Sequence, residues 1–227
     1  MQPSGNTQNH ITLKCRKSGK PVIVLDVGGV LVDFDLKPLI RALSENRGES
    51  VSLPPLSAMD RLFLPVQTGK ASFNDIVPEL NAFLKVSIPP EEWRDLLCSI
   101  FTGEMQGMRE MLTELKRDFY LVGLTNTIEP HWTFVLQTYE ILHLLDGCIV
   151  SYVEGLAKPD PAIYQRVMDR YCNGGLPYFH TDDLPEYVEA ARRLGWRSQV
   201  FRNALQFKNE LLGGRGAHPE QDENGRR

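Results

Sequence analysis

Four groups of side chains able to do chemistry follow short apolar runs in this 227-residue chain. Asp26, with Gly28 and Gly29 behind it, follows Val22 to Leu25, and Thr125-Asn126 follows Phe119 to Leu124. Lys158-Pro159-Asp160-Pro161 comes after Gly147 to Val150, and Thr181-Asp182-Asp183 after Leu176 to His180. Gathered carboxylates repel, so Asp26, Asp182 and Asp183 are stable side by side only around a cation. An oxygen-only donor set selects a hard ion, foremost Mg²⁺. Lys158, Thr125 and Asn126 are then free to grip a phosphate. The cation also screens the Asp26 carboxylate from a phosphoryl group, so that it can attack phosphorus.

This chemistry requires one shared rim, and the elements between the groups supply it. Pro21-Val-Ile-Val-Leu25 is fully apolar and β-branched, the pattern of a strand buried on both faces. Comparable runs lie at Phe119–Leu124, Gly147–Val150, Leu176–His180 and Ser198–Phe201. Between them, apolar residues recur at helical spacing: Met108, Met111, Leu112, Leu115, then Ile163, Val167, Met168. Asp160 and Pro161 have the types of an N-cap and first helical residue, and Tyr187–Leu194 runs into a terminating Gly195. Alternating strand and helix means an α/β fold with a doubly wound, mostly parallel sheet. Ligands bind such sheets beyond the carboxyl ends of the strands, where the four groups fall.

One interval breaks the alternation. Leu36 to Gln106 shows no convincing strand, only helical stripes: Phe73, Ile76, Val77, Leu80, Phe83 and Leu84 on one face, and Trp93, Leu96, Leu97 and Ile100 on another. Pro54-Pro55 and Pro89-Pro90 punctuate it. The expected organisation is a core over residues 20–35 and 107–211, a helical cap over 36–106, and flexible tails over 1–19 and 212–227.

In this order the stretches VIVLDVGGVLVDFD, VGLTNT, GLAKPDPAIYQRV and DDLPEYVEAARRLGW resemble the four motifs of the haloacid dehalogenase superfamily. The similarity spans about Val22 to Phe201 and is greatest to the phosphatase branch with a helical cap after the first motif, including alpha-D-glucose-1-phosphate phosphatase-like proteins. It implies a Rossmann-like core and an Mg²⁺-dependent hydrolase of small phosphomonoesters, sugar phosphates among them. Asp26 would be the nucleophile of an aspartyl-phosphate intermediate. The metal would be held by Asp26, the Gly28 carbonyl and Asp183, with Asp182 as a further ligand or a support behind them. Thr125 and Asn126, by main chain or side chain, would bind the phosphoryl group, and Lys158 would neutralise nucleophile and phosphate.

The chain departs from that pattern twice. Most phosphatases of the superfamily carry a second Asp two residues after the nucleophile, as general acid and then base. Here the position is Gly28, and a group of that kind contributes about 10²–10⁴-fold. Asp33 and Asp35 are substitutes by sequence proximity only, and their plainer reading is as solvated residues. A capped sugar-phosphate phosphatase branch also reads Asp-x-Gly here. The second departure is Tyr187, where an Asp or Asn often stands four residues after the metal-binding Asp; this bears on metal affinity.

Composition bounds the rest. At ~150 residues per domain, the length gives about one and a half domains, enough to bury a core without staples. A net charge of -4 with pI near 5.8 leaves no basic footprint for nucleic acid or acidic membranes. Cys15, Cys98, Cys148 and Cys172 form no metal or disulfide pattern. His131, His143 and His180 have no partner spacing and read as structural. No apolar run reaches the ~18 residues of a membrane span, and Met1–Lys20 lacks a secretory core. A cytoplasmic enzyme acting on a small phosphorylated metabolite is expected, with oligomeric state open. Two other readings stay in view. One is a catalytically weakened binding or regulatory protein, motivated by Gly28 and Tyr187. The other is a C–halogen hydrolase using Asp26, which the retained acidic pair disfavours.

Overall fold

The computed structural model describes residues 19–51 and 56–213. Of the tails expected over 1–19 and 212–227, residues 1–18 and 214–227 lie outside the described residues, as do Cys15 and Pro54-Pro55.

Five parallel strands form the central sheet: β1 (Val22–Leu25), β4 (Tyr120–Thr125), β5 (Gly147–Val150), β6 (Phe179–Asp182) and β7 (Ser198–Val200), in the order β5-β4-β1-β6-β7. Every residue of β1, β4, β5 and β6 is buried, as continuous apolar runs covered on both faces require. In register, Leu25 lies opposite Gly123 on one side and Thr181 on the other. The carboxyl ends of β1, β4 and β6 therefore stop at one level. The chain winds outward from β1 to β4 and β5, then returns to β6 and β7 on the other side. The reversal opens a crevice at the end of β1.

Helices α5 (Met108–Leu115), α6 (Glu129–Thr138) and α10 (Ala204–Gly213) bury Met108, Leu112, Trp132 and Phe207 against one face of the sheet. α8 (Pro161–Tyr171) and α9 (Pro185–Arg193) cover the other with Ile163, Val167 and Ala191. Asp160 is the N-cap of α8, accepting from the Ala162 N–H, with Pro161 in the first turn, and Gly195 follows α9 at φ 84°. The short helix α7 (Ser151–Glu154) leads from β5 towards Lys158.

The interval after β1 holds α1 (Lys37–Arg47), α2 (Leu56–Gln67), α3 (Phe73–Leu84) and α4 (Pro90–Cys98) around a cluster of their own. Leu43, Leu80, Ile88 and Trp93 are its most enclosed members, whereas Phe83, expected on the same stripe, is exposed; burying each aliphatic one stabilises by roughly 1.5–3 kcal/mol. Ser72 and Asp75 cap α3 reciprocally. Asn81 fastens α3 to α4, accepting the Trp93 indole N–H at 2.8 Å and donating to the Ile88 carbonyl at 2.9 Å.

Three expectations are corrected. Leu36–Gln106 does contain a strand: β3 (Phe101–Glu104) pairs antiparallel with β2 (Val32–Phe34), Val32 opposite Glu104 and Phe34 opposite Phe101. This ribbon projects from the end of β1, and its pattern is hard to read because β3 is Phe-Thr-Gly-Glu and only partly covered. The fourth strand begins at Phe179 rather than Leu176; Leu176 is exposed and Pro177 has no N–H to give a ladder. α10 continues to Gly213, past the start expected for the second tail. Among the described residues, no helix is long and apolar enough to cross a membrane, and Cys98, Cys148 and Cys172 are free thiols.

Candidate active site

Asp26 is the first residue beyond β1, and its N–H continues the ladder by donating to the Thr181 carbonyl at 3.0 Å. The side chain is buried. Its Oδ1 accepts the Val27 N–H at 2.7 Å and faces the Lys158 ammonium at 3.0 Å. No hydrogen bond to Oδ2 occurs among the described residues, so that oxygen is the one left for a reacting atom or an ion.

Lys158 is reached through α7 and is 3% exposed, which for an ammonium demands full pairing. Nζ meets Asp26 Oδ1, Asp182 Oδ2 at 2.6 Å and the Leu124 carbonyl at 3.1 Å. Three protons thus find three acceptors. Burial alone would lower the lysine pKa, but the Asp182 and Asp26 carboxylates outweigh it and hold the ammonium charged. Asp182 is fully buried at the end of β6, its second oxygen accepting the Leu184 N–H at 3.0 Å. Neither acid caps α9; its N-cap is Leu184.

Asp183 is half-buried and lies against the turn after Asp26. A Cβ on Gly29 would stand 2.5 Å from Asp183 Oδ2, and Gly29 has φ +72°. Only glycine lets the turn come so close to the acid. Oxygens of Asp26, Asp182 and Asp183 all lie within 4.8 Å of one another. Unneutralised, the cluster is under electrostatic stress. Burial, then the charges of Asp182 and Asp183, push Asp26 up to about 7 against the pull of Lys158. Burial and Asp182 likewise raise Asp183. A hard divalent ion would relieve that stress, and the all-oxygen donors fit one. Asp26 and Asp183 have oxygens available for it. Both oxygens of Asp182 are engaged, which suits it to orienting Lys158 and the turn at Leu184.

Thr125, the last residue of β4, is buried, and its hydroxyl makes no hydrogen bond among the described residues. Asn126 differs. Its Oδ1 accepts the Lys158 N–H at 2.8 Å and its Nδ2 donates to the Lys158 carbonyl at 2.9 Å. Of the two means considered for gripping phosphate, the side chain is thereby engaged in clamping the lysine backbone, and the main chain is left.

Tyr187 is the residue whose part sequence reasoning missed. Its ring lies under Lys158 Nζ at 4.9 Å from the centroid, and its hydroxyl accepts from Asn126 Nδ2 at 3.3 Å. A tyrosine at that place supports lysine and asparagine through a cation–π contact and a hydrogen bond. The only signal in the sequence was its departure from the expected Asp or Asn.

The remaining candidates stand apart. Asp33 is exposed on β2, its Oδ1 accepting the Phe34 N–H. Asp35 accepts the Lys37 N–H and pairs with its ammonium at the start of α1. Neither belongs to the acidic cluster. His180 is wholly buried, with Nδ1 2.7 Å from Ser198 Oγ, and burial lowers it to about 3. His131 bonds the Leu97 backbone, and burial lowers it to about 4.

Comparison with known proteins bears on this geometry. The model of the haloacid dehalogenase-like hydrolases matches residues 20–197. Phosphatase MT3486 of Mycobacterium tuberculosis is 23% identical over 202 residues, 84% of this chain and 91% of its own length. Sesquiterpene phosphatase astK of Aspergillus oryzae is 25% identical, covering 83% of this chain and 93% of its own. Rhythmically expressed gene 2 protein of Drosophila melanogaster is 31% identical over 103 residues, and this stretch spans only 39% of that protein. Among solved structures, a HAD family enzyme of Bacteroides thetaiotaomicron in its magnesium complex superposes with TM-score 0.69 at 19% identity, covering 82% of this chain and 96% of that one. The same enzyme is known with magnesium and inorganic phosphate.

Proposed function

The chain belongs to the haloacid dehalogenase-like hydrolases, and we propose that within this family it is an Mg²⁺-dependent phosphatase of small phosphomonoesters that works through an aspartyl-phosphate. The observation carrying this reading is the buried contact of Lys158 with Asp26 and Asp182, beside Asp183, at the ends of β1 and β6. Two full-length relatives named as phosphatases support it.

Mg²⁺ held by Asp26, Asp183 and the Gly28 carbonyl would supply charge neutralisation for phosphoryl oxygens. The protein's own residues do the rest. Lys158 and the Val27 N–H hold Asp26 Oδ1 and so fix the carboxylate. The Asp26 carboxylate attacks phosphorus, the bond to the ester oxygen breaks, and the alcohol departs. Thr125 Oγ and the main chain at Asn126 donate to the phosphoryl oxygens, where charge gathers in the transition state. Water then attacks the phosphorus of the aspartyl-phosphate, releasing inorganic phosphate and restoring Asp26. Asn126 and Tyr187 keep Lys158 in place throughout. No carboxylic acid stands at Gly28, so protonation of the departing oxygen falls to solvent.

The acidic pair disfavours the dehalogenase alternative, since carbon–halogen hydrolysis needs no metal. A weakened binding protein remains the reading to test against. Cys98, Cys148 and Cys172, free thiols among the described residues, suit a reducing compartment, in keeping with a cytoplasmic location. The test is phosphate release from a panel of phosphomonoesters with and without Mg²⁺. Turnover that requires Mg²⁺ and is absent in Asp26→Asn supports the reading; turnover retained by Asp26→Asn overturns it.

A further inference from the structure

Two cavities adjoin the phosphoryl end of the site and share Ile100, Asn126, Thr127 and His131 in their walls. The first, about 160 Å³, runs from Gly28 and Thr125 to Phe34, Phe101 and Trp132. The second, about 200 Å³, lies between the inserted helices and the loop after β4, walled by Leu36, Leu39, Phe63, Leu97 and Ile128. No Asp, Glu, Lys or Arg lines either one. His131 adds no charge, because burial keeps its imidazole neutral. Its Nε2 is closed off from solvent and has no partner among the described residues.

The polar wall groups are mostly committed elsewhere. The Asn126 side chain holds the Lys158 backbone. The Thr127 N–H and carbonyl bond the Ser151 hydroxyl, leaving Gln67 and the single Nε2 of His131 to meet a hydroxyl group. A polyhydroxylated body placed here would leave several hydroxyls unmet, each weakening binding about tenfold. An apolar body would instead be attracted by the aromatic and aliphatic walls. Phe34, 41% exposed at the mouth of the first cavity, offers a ring that an apolar body entering there would cover.

We propose that the alcohol part of the substrate is an uncharged, apolar carbon body rather than a sugar. This deepens the phosphatase reading and rests on it: the phosphoryl group lies at Asp26 and Thr125 while the carbon body fills the two cavities. The occupant follows from continuity, because Asn126 and Thr127 line both cavities and Thr125 opens directly into the first.

The experiment measures kcat/KM for phosphate release by the full chain with Mg²⁺. Its substrates are butyl, hexyl and octyl phosphate, glycerol 3-phosphate, glucose 6-phosphate and acetyl phosphate. We expect kcat/KM to rise about fourfold per buried methylene until the cavities are full. Hexyl phosphate should exceed the carbon-matched glucose 6-phosphate at least tenfold. In Phe63→Gln the preference for octyl over butyl phosphate should fall at least threefold, while an unchanged circular dichroism spectrum and thermal melt show the fold intact. A flat chain-length series, or glucose 6-phosphate equal to or better than hexyl phosphate, overturns the inference and leaves the phosphatase standing. No release from any substrate, acetyl phosphate included, overturns the phosphatase reading itself and this inference with it.

Discussion

Replacing Lys158 by methionine probes the electrostatics of the site most severely. The substitution keeps an unbranched stem of similar reach and removes only the ammonium. Asp26 and Asp182, buried to 7% and 0% exposure, then lose the cation they share at 3.0 and 2.6 Å. Breaking a buried pair by deleting one partner costs about 3–5 kcal/mol. For a chain of this size, each kcal/mol moves Tm by roughly 2–4 °C. Lys158→Met should therefore melt roughly 6–20 °C lower at neutral pH in EDTA. Asp26 is already raised by burial, and losing Lys158 raises it further. A raised acid binds its proton more tightly folded than unfolded, so below about 7 both proteins gain stability in parallel as pH falls, and the deficit grows as pH rises above 7. A double substitution gives the sharpest reading. Asp26→Asn should destabilise the wild type, where it removes a lysine partner, yet stabilise Lys158→Met well above pH 7, where it removes an uncompensated charge. Thermal melts of the four proteins in EDTA decide it. A Lys158→Met protein melting within about 2 °C of wild type, or the same sign for Asp26→Asn in both backgrounds, would refute the reasoning.

Two further outcomes are expected. A Cβ on Gly28 meets only Phe34 Cε1, at 4.0 Å, so Gly28→Asp should fold and place an acid beside the departing oxygen. Steady-state assays should then show turnover of alkyl phosphates rising by up to about 10²–10⁴-fold and that of acetyl phosphate far less, since its leaving group needs no proton; equal effects on both would contradict an acid limitation. His180 is held neutral by burial, at about 3. Below the ordinary histidine range the unfolded chain therefore binds a proton that the folded one refuses. His180 thus costs about 1.4 kcal/mol of stability per pH unit as pH falls from 6 towards 4. Asp26 has the opposite sign, so the quantity to read is the difference in denaturant-derived slopes between wild type and His180→Asn; parallel slopes would count against a neutral His180.

The strand ends were legible because a run such as Val-Ile-Val-Leu fits only a strand covered on both faces, which fixes where Asp26 emerges. Thr125 and the Asp182-Asp183 pair followed in the same way. Lys158 needed its Asp160 cap and Pro161 to mark the loop in front of α8. What escaped depends on contacts distant in sequence. β3 carries a glycine and a half-covered face, so no period announces it. Asn126 was readable as a polar residue at a strand end, but not as a clamp on a backbone thirty-two positions away. Tyr187 stood out as an exception, and only its place beneath Lys158 shows what it does. The apolar walls beyond Gly28 come from the ribbon, the inserted helices and the loop after β4, and no single stretch of sequence displays them together.

In the proposed reaction the phosphoryl group passes to the carboxylate of Asp26. This transfer is tested most directly by acid-quenching the enzyme during turnover of acetyl phosphate with Mg²⁺ and mapping the peptides by mass spectrometry. A phosphoryl adduct is expected on the peptide carrying Asp26, absent without Mg²⁺ and absent in Asp26→Asn. Sustained phosphate release with no adduct at Asp26, or an adduct that persists in Asp26→Asn, would contradict it.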